Sequence, residues 1–113
     1  MVNARKICID YANQIVKELG PLVDRVVLYG SYARGDNDDE SDIDIMVILG
    51  CQRPELEQYK KLIVSVSFDL SLKYDVLVSG MMEAADTFSR WKDLPGLYQN
   101  IEREGVVLYG CPF

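Results

Sequence analysis

The residues best suited to chemistry lie in one run, from Gly30 to Asp44, which ends in two aspartates spaced i, i+2. If Asp42 and Asp44 lie on a strand, their side chains project from the same face of it. Two ionised carboxylates about 4 Å apart repel each other by roughly 1 kcal/mol in water and roughly 4 kcal/mol at a surface-like dielectric constant. A divalent cation would relieve this repulsion, and oxygen ligands with retained waters suit Mg²⁺. The spacing therefore favours a metal site, against the alternative of a solvated acidic loop.

A tight corner at Gly30 and Ser31 precedes the carboxylates. Glycine at the end of a strand lets backbone amides approach a phosphate. Ser31 would begin a helix, where free N–H groups and the helix dipole favour anions. Arg34 could neutralise phosphate charge or pair with the acidic loop, and both roles stay open. Together the corner and the carboxylates are suited to hold the phosphates of a nucleotide and their metal ions.

Two other motifs do not fit this run. An EF-hand starting at Asp36 would need glycine at its sixth position and glutamate at its twelfth, where the chain has Ser41 and Val47. A Walker A loop would need a Gly-Lys-Ser or Gly-Lys-Thr sequence, which the chain lacks. The run is therefore neither a calcium loop of that type nor a P-loop.

The hydrophobic pattern predicts an α/β (α+β) fold, in which helices pack on a mixed β-sheet of about four strands. Apolar residues every three or four positions predict helices, and alternating or continuous short apolar runs predict strands. The predicted helices cover residues 4–19, 31–34, 55–71 and 97–104, and the predicted strands cover 25–29, 42–49, 73–79 and 106–109. Residues 36–41 are predicted to be a polar loop, and residues 81–95 show no clear pattern.

Composition narrows the classes of protein and of chemistry. The 113 residues, 49% of them hydrophobic, predict one folded domain over residues 1–113. With no apolar run of about 20 residues and no secretory leader, we expect a cytoplasmic protein without a membrane partner. A net charge of −6 disfavours nucleic acid as the main partner. The sequence has no histidine for imidazole catalysis, and its three scattered cysteines form no CxxC pair that would indicate zinc or a disulfide framework.

The run from Gly30 to Asp44 resembles the signature of the DNA polymerase β-like nucleotidyltransferase superfamily. The form Gly30-Ser31-x-Ala33-Arg34-Gly35 with Ser41-Asp42-x-Asp44, on a short chain, resembles the minimal nucleotidyltransferases, the small MNT-type domains of bacteria and archaea. The stretch from Leu97 to Tyr109 also resembles theirs, so the similarity covers nearly the whole chain.

The resemblance implies a third carboxylate on a later strand, next to the first two. Asp75 is the match, and Asp69, on the predicted helix, is the competing choice. The implied chemistry is nucleotidyl transfer from ATP with two Mg²⁺ ions, in which the metal ligands and catalytic groups are Asp42, Asp44 and Asp75. The residues then expected to bind the nucleotide are Gly30, Ser31, Arg34 and Ser41.

The resemblance also implies an acceptor. Minimal domains of this family pair with a HEPN-type toxin, act as its antitoxin, and in some members transfer AMP to a tyrosine of the toxin. We therefore expect a protein adenylyltransferase that acts on a HEPN-type partner. Two alternatives stay open: a module that neutralises its partner by docking alone, and a small-molecule, antibiotic-type nucleotidyltransferase. An acceptor site shared across a homodimer is also open, because the chain has no room for the helical acceptor domain of larger relatives. Two roles also stay open for Trp91, which are stacking on a ligand and ordinary packing.

Overall fold

The computed structural model describes residues 3–113, in which four strands form one mixed sheet with helices on both faces. The helices are α1 (Ala4–Leu19), α2 (Ser31–Arg34), α3 (Lys60–Tyr74), α4 (Ala85–Trp91) and α5 (Leu97–Glu104), with 3₁₀ turns at Gly20–Leu22 and Arg53–Tyr59. The strands are β1 (Val23–Tyr29), β2 (Ile43–Leu49), β3 (Val78–Ala84) and β4 (Val106–Tyr109), in the order β3-β2-β1-β4. β1 is antiparallel to β2 and β4, whereas β2 and β3 are parallel. The predicted α+β class with a mixed sheet is confirmed.

The bounds of α1 follow from its end signals. The side chain of Asn3 accepts a hydrogen bond from the amide of Lys6 at 3.2 Å, which satisfies one of the free donors of the first turn. Gly20 ends the helix at φ 51°, a conformation that glycine adopts without steric cost. No helix among residues 3–113 combines the length and the apolar character that crossing a membrane requires.

β2 is the central strand, and its two faces contact different helices. Every residue of β2 except Asp44 is buried. Ile43, Ile45, Val47 and Leu49 belong to the main core under α1 and α3, while Met46 and Ile48 belong to a smaller cluster with Phe88 of α4 and Ile101 of α5. Because α4 and α5 cover only that part of the second face, the start of β2 around Asp44 stays accessible.

One predicted strand is wrong. Residues 73–79 were expected to be extended, but α3 continues to Tyr74 and β3 begins at Val78. The buried positions Ile63, Val66 and Leu70 set a helical period that carries through to Tyr74. The hydroxyl of Ser71 then accepts a hydrogen bond from the amide of Val78 at 2.9 Å, which ties the end of α3 to the start of β3.

Candidate active site

Two neighbouring strands place polar side chains around Asp44. In the register of the sheet Asp44 pairs with Tyr29 of β1 on one side and with Ser79 of β3 on the other. Paired residues of adjacent strands project from the same face, so these three side chains share one surface with Met46 and Met81. Asp42 lies one residue before β2 and is exposed, whereas Asp44 is half-buried. The N-terminal end of β2 therefore presents the half-buried carboxylate of Asp44 beside the exposed Asp42, and we refer to this surface as the cleft.

Gly30 brings the backbone corner directly against Asp44. A Cβ atom built on Gly30 would lie 2.5 Å from Oδ2 of Asp44, and the φ of 76° at Gly30 is one that side-chain-bearing residues rarely adopt. α2 begins at the next residue, so the amides of Ser31 and Tyr32 have no partner within that helix. The carboxylate of Asp44 thus lies beside the residue that directly precedes these amides.

The charge balance of the cleft is unfavourable without a cation. Burial, and secondly the charge of Asp42, raise the pKa of Asp44, and Arg34 only partly offsets them. Burial, and next the charge of Asp44, raise the pKa of Tyr29 to about 12. Tyr29 is therefore a neutral phenol near pH 7, and its hydroxyl donates to the sulfur of Met81 at 3.1 Å. A bound cation would stabilise the ionised form of Asp44.

Arg34 and Ser41 contact the loop rather than the corner. The guanidinium of Arg34 donates from Nε to Asp36 at 3.1 Å and from Nη1 to Glu104 of α5 at 3.4 Å. The hydroxyl of Ser41 accepts from the amide of Asp38 at 2.9 Å. Arg34 thus pairs with the acidic loop, and its role in neutralising phosphate charge stays a prediction. Both residues fix the path of residues 36–41 into β2.

The predicted cluster of three aspartates does not form. Asp75 is not on a strand: it follows the last residue of α3, is exposed, and has the left-handed conformation φ 51°, ψ 48° that ends the helix. Within residues 3–113, no three cysteine, aspartate or glutamate side chains lie close enough together to hold one metal ion. The residue that the sheet register sets beside Asp44 is Ser79. The competing residue Asp69 lies exposed on α3.

Sequence reasoning missed a second polar group on the same sheet face. Glu83 of β3 is only 2% exposed, and it accepts a hydrogen bond from the Tyr98 hydroxyl at 2.5 Å and from the amide of Ala84 at 2.9 Å. Nε of Arg53 lies 3.5 Å from the same carboxylate. The one signal available was a lone glutamate in the Met81–Ala84 stretch, within a region that showed no clear period.

The chemistry of the donors fits Mg²⁺. Asp42 and Asp44 supply only carboxylate oxygens, and Mg²⁺ is commonly held by one or two carboxylates together with waters and substrate phosphates. Burial first and the charge of Asp42 second raise the pKa of Asp44, and such an ion would stabilise the ionised carboxylate against both. Two carboxylates and a corner of free amides can hold a metal–triphosphate group.

Comparison with known proteins agrees with this geometry. The family model described as nucleotidyltransferase domain matches residues 9–108. Two proteins of Methanocaldococcus jannaschii, each named "Putative protein adenylyltransferase", are similar in sequence. One is 41% identical over 70 residues, which are 62% of this chain and 69% of that protein. The other is 29% identical over 108 residues, which are 96% of this chain and 100% of that protein.

Solved structures share the fold. A chain of a toxin–antitoxin crystallised with AMP-PNP superposes with a TM-score of 0.60 at 19% identity, over 91% of this chain and 73% of that chain. A chain of the complex between a tri-AMPylated HEPN toxin of Shewanella oneidensis and an MNT antitoxin gives 0.55 at 18% identity, over 95% and 73% of the two chains. At these identities the superpositions establish the common architecture.

Proposed function

Because this chain belongs to the nucleotidyltransferase domain family, we propose that it transfers AMP from ATP to a hydroxyl group of a partner protein. Membership makes it an enzyme of the nucleotidyltransferase class, and its sequence relatives bear the name of protein adenylyltransferases. The observation that carries the proposal is the close approach of the Gly30 backbone to the carboxylate of Asp44, where a Cβ atom on residue 30 would clash. This arrangement would bring a phosphate-binding corner and a metal-binding carboxylate together.

Different residues of this chain have different roles in the transfer of AMP. Asp42 and Asp44 would hold Mg²⁺, which would supply positive charge for the attacking and leaving oxygens. The amides of Ser31 and Tyr32, reached past Gly30, bind the β- and γ-phosphates. The acceptor oxygen attacks the α-phosphorus in line, the bond from that phosphorus to the β-phosphate oxygen breaks, and pyrophosphate leaves. The proton of the acceptor hydroxyl passes to water at the open cleft.

The acceptor that we propose is a tyrosine of a HEPN-type protein, so that the chain acts as the antitoxin of a toxin–antitoxin pair. Support comes from structural neighbours that are toxin–antitoxin complexes, one of which holds an AMPylated HEPN toxin. The net charge of −6 is consistent with a protein acceptor rather than a nucleic-acid acceptor.

Intact-mass spectrometry tests this proposal. The protein is incubated with ATP, Mg²⁺ and a HEPN-type protein as candidate partner, and the partner's mass is expected to rise by one or more AMP units. The variant Asp42→Ala/Asp44→Ala should leave the partner's mass unchanged, whereas the matched loop variant Asp39→Asn should modify it normally. Labelling of a small molecule but not of the partner would contradict the proposal. If the double variant still neutralises the partner, docking rather than catalysis is responsible.

A further inference from the structure

A cavity of about 250 Å³ lies over the C-terminal end of β3, away from the carboxylate pair. Its walls include Arg53, Glu83, Thr87, Trp91, Leu97 and Tyr98. Its volume is below the roughly 300–1,000 Å³ of cavities that take a drug-sized molecule, so it suits one large side chain.

The walls combine exposed apolar surface with a buried carboxylate. Trp91 is 55% exposed and Leu97 is 46% exposed at the rim, while Glu83 at the base is 2% exposed. The hydrogen bond from Tyr98 and the proximity of Arg53 fix the orientation of this carboxylate. An apolar cavity with a few convergent polar groups is the usual form of a binding site, and exposed tryptophans are common anchors at protein interfaces.

The cavity lies on the side of the sheet from which an acceptor must approach. Gly30 and Ser31 follow β1, so the pyrophosphate leaves over β1. In an in-line displacement the attacking oxygen comes from the opposite side, which in the order β3-β2-β1-β4 is β3. β3 is also an outer strand, and because Ser71 and Glu83 bond the outward amides of Val78 and Ala84, the middle of this edge, at Gly80 and Met82, is the part that faces no strand. An extended peptide can lie along such an edge.

The spacing along β3 matches that of an extended peptide. Ser79 pairs with Asp44, and Glu83 follows four residues later with its side chain on the same face. Four residues of strand span about 13 Å. An extended segment whose reactive residue lies over Ser79 therefore has the side chain four positions away over the cavity.

We propose that this cavity anchors an aromatic or large aliphatic side chain of the acceptor protein, four residues from the modified hydroxyl residue, in an extended segment beside β3. The inference rests on the proposed function, because it assumes a protein acceptor.

Trp91 allows the anchor to be tested by binding as well as by activity, since it is the one tryptophan among the 113 residues. The probes are nine-residue peptides with a central tyrosine and with phenylalanine or serine four positions before or after it. Phenylalanine-bearing peptides should shift Trp91 emission to shorter wavelength and should be labelled with AMP at least fivefold more efficiently, in kcat/KM, than their serine counterparts. ATP with Mg²⁺ alone should leave the emission unchanged.

Two variants separate the possible results. Trp91→Ala should abolish the preference for phenylalanine and keep ATP binding intact, whereas the control Phe68→Ala, which removes a 61% exposed ring from α3, should keep the preference. Two results would overturn the anchor alone. One is that the unsubstituted protein labels the peptides but does not prefer phenylalanine over serine at either position. The other is that this preference survives in Trp91→Ala. No labelling of any peptide or of the HEPN-type partner would overturn the proposed function and the anchor with it.

Discussion

Replacing Asp44 by asparagine should make the metal-free protein more stable while removing its activity. Asp42 directly precedes β2, and an extended path into that strand would put the side chains of residues 42 and 44 about 7 Å apart. Two unit charges at that distance repel by about 0.6 kcal/mol in water and about 2.4 kcal/mol at an effective dielectric constant of 20. Because Asp42 is exposed, solvent screening favours the lower figure. We therefore expect Asp44→Asn to raise the free energy of unfolding by about 0.6–1 kcal/mol at pH 7 and low salt.

The stability that Asp44→Asn gains over the unsubstituted protein should depend on pH, in a direction set by the pKa of Asp44. The pKa of Asp44 is raised in the folded protein, by burial first and by Asp42 second. The unsubstituted protein therefore loses stability as pH rises from the ordinary carboxyl pKa through the raised one, and the asparagine variant does not. The gain should be present at pH 7 and absent in acid below the ordinary carboxyl pKa. It should also shrink at 1 M salt, where the Debye length falls to about 3 Å.

Urea denaturation at low ionic strength, with and without Mg²⁺, measures the effect. Mg²⁺ should stabilise the unsubstituted protein and leave Asp44→Asn unchanged, so the difference in stability should narrow or reverse. Asp39→Asn is the control, because it removes the same charge from the exposed loop without changing the carboxylate pair. The reasoning is refuted if Asp44→Asn is less stable than the unsubstituted protein without metal, or if Mg²⁺ stabilises both equally.

Three further substitutions probe the cleft and its surroundings. Gly30→Ala should lower the free energy of unfolding by about 1–3 kcal/mol for the backbone conformation alone, because φ 76°, ψ −156° is a region that residues with a side chain rarely adopt. By displacing Asp44 it should also lower kcat about a hundredfold, and normal kcat would contradict the close approach of the two residues. Asp75→Asn should leave kcat unchanged. It should raise the free energy of unfolding by about 0.3–1 kcal/mol, because it removes a negative charge from the C-terminus of α3. A large loss of kcat would show that Asp75 takes part in the reaction. Tyr98→Phe should lower the free energy of unfolding by about 1–3 kcal/mol, since buried Glu83 loses a donor, and unchanged urea stability would show that water replaces the hydroxyl.

The sequence predicted those parts of the fold that have strong local signals. Gly20 and Asn3 delimit α1, the unbroken apolar run Ile45–Leu49 identifies the central strand, and Gly30 with Ser31 predicts the turn into α2. The prediction that Asp42 and Asp44 begin a strand was also close, since β2 starts between them. In each case a few neighbouring residues determine the conformation.

The parts that were missed depend on contacts between distant segments. The Lys73–Val78 stretch has the composition of a strand, but α3 packs on β3 through Ile63 and Leu70 and its helical period continues past Lys73. The start of β3 moves accordingly, so Ser79 rather than Asp75 pairs with Asp44. A change of register of this kind cannot be read from local propensity, because it is set by pairing with β2.

The polar group at Glu83 was missed for a related reason. Met81, Met82 and Glu83 have no strong preference for a strand, and only the parallel pairing with β2 makes them one. The donor that satisfies the carboxylate comes from Tyr98, fifteen residues later in the chain. Nothing in the local sequence connects these two residues.

The central claim is that Asp42, Asp44 and the corner at Gly30 together bind ATP with Mg²⁺. A calorimetric titration of ATP into the protein, with and without Mg²⁺, tests it most directly. We predict saturable, Mg²⁺-dependent heat for the unsubstituted protein and for Asp75→Asn, and none for Asp42→Ala/Asp44→Ala with its fold intact by circular dichroism. Equal ATP binding by the double variant, or loss of binding in Asp75→Asn alone, would contradict the account.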